Sequence, residues 1–134
     1  MRSLILAACV LLTSGDIYAE QSRIGKCESR PEFESIRQQA PDFIPAYAAD
    51  VAATTKGALR FKTMFRVLNS AKGFPVCIAV LVDENGRALD AAAYYPKRVG
   101  LLPKERSELL SNEFTPSISN EKPVKSILVI TASY

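Results

Sequence analysis

The segment from Phe74 to Val82, Phe-Pro-Val-Cys-Ile-Ala-Val-Leu-Val, most constrains what this chain can fold into. It carries no charge, is apolar at odd and even positions alike and is rich in β-branched residues, so it reads as a strand buried on both faces at the centre of a sheet. Asp83-Glu84-Asn85-Gly86 follows, and the Asn-Gly pair suits the positive φ angles of a tight hairpin turn. Arg87 to Tyr95 then returns as the next strand, which makes this part of the sheet antiparallel.

The flanking sequence supplies the remaining elements. Ser29-Arg30-Pro31-Glu32 has the form of a capping box, and Pro31 opens a helix over Pro31 to Gln39 that ends before Pro41. Asp42 can cap a second helix through the alanine-rich Pro45 to Ala53, closed by Gly57. Leu59, Phe61, Thr63, Phe65 and Val67 then alternate with Arg60, Lys62, Met64 and Arg66, the pattern of a strand with one wet side, and Asn69 to Gly73 is a turn. After the central hairpin come a helix from Pro103 to near Asn112, an extended piece from Phe114 to Ile118, a turn at Asn120-Glu121-Lys122 and a last strand from Val124 to Ser133. The expected fold class is α+β, an antiparallel sheet with helices packed on one face.

Residues 1–19 have the order of a cleavable signal peptide: Arg2, the apolar run Leu4 to Leu12, the polar Thr13 to Asp16, and Ile17-Tyr18-Ala19 before the cut. The apolar run falls well short of the roughly 20 residues that span a bilayer. Leu6-Ala7-Ala8-Cys9 also has the form of a lipobox, so the alternative is a lipoprotein held through Cys9; the short apolar stretch before Cys9 favours soluble export to the periplasm. Residues 20–134 then form a single domain with an N-terminal helical extension. Cys27 and Cys77 remain, and an even pair in an oxidising compartment is expected to form one disulfide, the alternative being two free thiols. A formal net charge of +3 is too mild to indicate nucleic acid.

The sequence contains no His, which removes the commonest general base, the commonest metal ligand and every His-dependent triad. Asp83, Glu84 and Asp90 flank one hairpin, but one loop supplies too few converging oxygens for Ca²⁺. Glu32 and Glu34 are first-turn acids facing a helix dipole. The chain is therefore expected to catalyse nothing and to need no cofactor or metal. What remains is surface. Arg60, Lys62 and Arg66 form a basic row on the expected first strand, suited to an acidic partner or simply to solvent, and Tyr94 and Tyr95 end the strand after the hairpin. On the last strand Val124, Ser126, Leu128 and Ile130 share a face; if that strand is an edge, its free backbone groups can receive an extended segment of another protein.

The C-terminal half also carries a resemblance. An apolar strand leading into Val82-Asp83-Glu84-Asn85-Gly86-Arg87-Ala88-Leu89, a helix, Phe114-Thr115-Pro116, then Asn120-Glu121-Lys122-Pro123-Val124 and a final strand resemble, in that order, the C-terminal domain of TonB. The likeness runs from about Phe74 to Tyr134. It implies that family's fold, a periplasmic setting, and a domain that takes short segments of outer-membrane proteins beside its last strand. No Pro-rich stalk lies between residue 19 and the first helix, so a module that binds an envelope or outer-membrane protein is expected rather than a transmitter of force. Two other readings stay open. One is a small secreted inhibitor or immunity-type protein acting through Lys97-Arg98-Val99-Gly100-Leu101, and the other is a structural subunit of an envelope assembly.

Overall fold

The computed structural model describes residues 24–134, so the expected signal peptide over 1–19 and the alternative at Cys9 lie outside the described residues. The elements in chain order are α1 (Pro31–Gln39), β1 (Ile44–Pro45), a 3₁₀ turn (Ala46–Ala48), β2 (Thr54–Thr55), α2 (Met64–Ala71), β3 (Val76–Val82), β4 (Ala88–Tyr95), α3 (Pro103–Leu110), β5 (Phe114–Thr115), β6 (Ser117–Ser119), β7 (Lys122–Val124) and β8 (Ser126–Ala132). The main sheet has the order β1-β8-β3-β4, antiparallel except for the β1–β8 pair. Two short ladders, β2–β5 and β6–β7, sit beside it. The class is α+β, as the alternation of apolar strands and helices requires.

β3 is the central strand that its apolar run demands, paired with β8 on one side and β4 on the other. Strand alternation sends Val76, Ile78, Val80 and Val82 to one face, where they pack with Val67, Leu68 and Ala71 of α2 and Leu109 of α3. Each of those four β3 side chains is fully buried, a contribution of about 1.5–3 kcal/mol apiece. Ala79 goes to the other face, against Ile127 of β8 and Phe33 of α1. Two helices thus cover one face, and the N-terminal helix adds a layer on the other. The expected disulfide forms between Cys27 and Cys77, with Cα atoms 5.6 Å apart, and fastens the segment before α1 to the centre of the sheet.

Three elements differ from the sequence expectation. The alternating stretch from Leu59 to Val67 is not a strand: its second half opens α2. The alternation placed Phe65 inside, yet Phe65 is 72 % exposed, whereas Met64, Val67, Leu68 and Ala71 line one side of a helix at spacings of three and four. Lys72, at φ 50°, and Gly73, at φ 84°, then end that helix in the left-handed region.

The alanine-rich stretch from Pro45 to Ala53 is not a helix either. Ile44 donates its N–H to the Lys125 carbonyl at 3.2 Å, and Val51 exchanges backbone bonds with Ile118 at 3.0 and 2.8 Å. Alanine's advantage as a helix former is a fraction of a kcal/mol per residue, which such long-range pairing overrides. Finally, the expected last strand divides at Lys125: its first residue, Val124, closes the β6–β7 hairpin, whose turn places Asn120 at φ 50° and Glu121 at φ 64°, and only Ser126–Ala132 joins the main sheet. At α1 the Ser29 hydroxyl donates to the Lys26 carbonyl at 2.9 Å instead of capping the helix; Arg30 occupies the cap, and Pro31 opens the first turn as expected.

Candidate functional site

The outer side of β8 is covered for only part of its length. β1 pairs with Ser126 and Ile127 and then ends, as the chain turns into the 3₁₀ turn Ala46–Ala48. Since Ile44 bonds to the Lys125 carbonyl, backbone alternation turns the N–H and C=O groups of Lys125, Ile127, Val129 and Thr131 toward this side, and those of Ser126, Leu128, Ile130 and Ala132 toward β3. Among the described residues no strand pairs with Val129 or Thr131 on that outer side. Pro45 has no N–H to offer to a further strand outside β1.

A groove of about 360 Å³ opens along this stretch. Ile127, Leu128 and Val129 line it from the strand, and Ala46, Tyr47, Ala49 and Ala52 from the segment opposite. Three of these four are small alanine side chains, and Tyr47 is the bulky one among them. Glu28 and Asp50 are the carboxylates of the lining. Asp50 is exposed and accepts a hydrogen bond from the Asn120 N–H at 2.9 Å.

The opposite edge of the sheet, β4, is blunted. The Ala91 N–H is taken by the Asp90 carboxylate at 2.8 Å, and Arg106 from α3 holds the same oxygen at 2.7 Å. A carboxylate and a guanidinium placed on an edge strand discourage pairing with another chain.

The side chains singled out in the sequence do not assemble into one site. Val124 lies in β7, opposite Ser117, and the buried Ser126 accepts a hydrogen bond from the Ser117 hydroxyl at 2.7 Å. Leu128 and Ile130 pack against the core shared with α2 and α3. The basic row on a strand is replaced by three separate positions. Arg60 lines a polar hollow with Lys56 and Asn112, Lys62 donates its backbone N–H to Glu108 at 2.7 Å, and Arg66 on α2 pairs with Glu105 of α3. Asp83 is a turn residue that accepts the N–H groups of Asn85 and Arg87 at 2.8 and 2.9 Å. Burial pushes the Tyr94 phenol far above its ordinary range, with Glu28 and Glu32 adding to the effect. The loop Lys97 to Leu101 is pinned, since Val99 is buried and Arg98 donates to the Ala71 carbonyl at 3.0 Å while standing 5.0 Å over the Phe74 ring.

The residues that sequence reasoning missed are the backbone of Val129 and Thr131 and the alanine wall facing them. Reading side chains named the even positions of the last strand, whereas the outward backbone groups belong to the odd ones. The sequence does not show which of the two parities pairs with β3. The described residues include no helix long and apolar enough to cross a membrane. In comparison with known proteins, no family model, no curated protein and no solved structure matches this chain.

Proposed function

We propose that this protein is a non-catalytic periplasmic binding module, similar to the TonB C-terminal domain, that receives an extended segment of a protein partner along the outer side of β8. The observation that carries this reading is the stretch Val129–Thr131, beyond the end of β1 and continuing from a groove that reaches Val129, on a sheet whose other edge is blunted. Strand addition draws its affinity from main-chain hydrogen bonds and its selectivity from pockets for alternate side chains, and both ingredients meet at this groove. Export to an oxidising compartment is supported by the Cys27–Cys77 disulfide.

The test compares capture of envelope proteins by the oxidised protein and by Val129→Pro, which removes an outward N–H while leaving the β3–β8 ladder its donors. Hydrogen exchange of the Val129 and Thr131 amides is followed in parallel. The reading expects both amides to exchange fast in the free protein, to become protected when a captured partner is added, and capture to fail with Val129→Pro. Unchanged capture by a folded Val129→Pro variant, or amides that stay unprotected in the complex, would overturn it.

A further inference from the structure

We infer that the segment accepted at the β8 groove is cationic, an extended stretch of a partner protein carrying Lys or Arg among small or aliphatic residues; this rests on the strand-addition reading above. The side chains of the groove lining that carry charge at neutral pH are Glu28 and Asp50, and both are acidic. No Lys or Arg lines it, although the whole chain has 17 Lys and Arg against 14 Asp and Glu. Of the cations nearest in sequence, Arg30 stacks 3.2 Å over the Tyr95 ring and Lys125 stands 5.7 Å from the Phe43 ring, while Lys26 is exposed and lies outside the lining. On a chain with a net positive charge, the charged residues of the groove lining are thus all negative.

The shape of the groove restricts the other side chains. Ala46, Ala49 and Ala52 flank Tyr47 in one wall, and Ile127 and Val129 on the strand are apolar, so one side of the incoming strand meets mostly hydrocarbon. Side chains on a strand alternate, so apolar residues can face this wall while basic ones between them reach the rim at Glu28 and Asp50. Charge complementarity of this kind sets orientation and rejects wrong partners more than it adds bulk affinity. An acidic segment would meet two carboxylates and be turned away.

Three blocked hexapeptides make the test, alternating valine with lysine, with threonine or with glutamate, titrated into the isotopically labelled, disulfide-intact protein. The lysine peptide is expected to shift the Val129 and Thr131 amide resonances and to bind more tightly than the threonine peptide, with the glutamate peptide weakest. Combining Glu28→Gln with Asp50→Asn should weaken the lysine peptide about fivefold, abolish its salt dependence and leave the threonine peptide unchanged. If the threonine or glutamate peptide shifts the same amides as strongly as the lysine peptide, the cationic preference is refuted while strand addition stands. If no peptide moves those amides, strand addition fails and the inference with it. Sedimentation of the protein alone is expected to show a monomer; a dimer dissociated by Val129→Pro would make a second copy the occupant and overturn the inference.

Discussion

Glu105 shows how much one buried charge depends on its neighbours. It is only 1 % exposed, and Arg66 grips it with both arms of its guanidinium, one bond being 2.8 Å from Nε to Oε2, while the Leu102 N–H donates to Oε1 at 2.8 Å. Burial pushes the Glu105 carboxyl up, but these hydrogen bonds and the Arg66 charge outweigh it and hold the group below the usual carboxylate range. Since the folded value lies below the unfolded one of about 4.3, the contribution to stability is complete above that value and is lost as pH falls through the folded value. Arg66→Ala should cost about 2 kcal/mol at neutral pH, because it strands a buried carboxylate. In that variant burial is no longer offset by Arg66, while the Leu102 N–H bond remains, so the carboxyl rises and the gap to the parent protein should narrow in acid. Urea titrations at neutral and at acidic pH check both the size and the sign.

The central hairpin is built around one glycine. Gly86 sits at φ 79°, a conformation that disfavours any Cβ, and a Cβ there would run into the carbonyl of Phe114. The close approach lets the Phe114 N–H reach the Gly86 carbonyl at 3.0 Å, so the hairpin turn and the segment after α3 hold one another. Gly86→Ala is expected to destabilise by about 2 kcal/mol or more. Gly73 has a similar φ of 84° with nothing nearby, and Gly73→Ala should cost only about 1 kcal/mol, a difference that paired thermal melts would reveal. The edge strand β4 offers another element-scale expectation. Asp90→Ala frees the Ala91 N–H and releases Arg106, so the variant should self-associate at concentrations where the parent is monomeric, as read by light scattering.

Across the whole molecule, the Cys27–Cys77 bond joins residues 50 apart in sequence and ties the N-terminal layer to β3. Closing a loop of that length stabilises by up to about 4 kcal/mol through the unfolded state. Replacing both cysteines by alanine should therefore lower the urea midpoint with little change in the packing of α2 and α3, because their core lies on the other face of the sheet. The same bond holds the turn bearing Glu28 near the β8 groove, where Thr131 donates its hydroxyl to Cys27 Sγ at 3.2 Å. The double variant should thus also loosen peptide binding at that groove.

The central strand, its hairpin, α1, α3 and the cysteine pairing were legible in the sequence because each rests on a local or compositional cause: an uninterrupted apolar run, an Asn-Gly turn, a proline at a helix start, two cysteines outside the N-terminal apolar run. Leu59 to Val67 satisfied two periods at once, and only the exposure of Phe65 against the burial of Val67, Leu68 and Ala71 decided for the helix. Pro45 to Ala53 had good local helix propensity and lost it to Lys125 and Ile118, partners more than sixty residues away along the chain. The candidate site belongs to the same class of facts. Which amides of β8 are open depends on where β1 stops and which parity pairs with β3, and both are set by tertiary pairing between segments whose sequences do not encode each other's register.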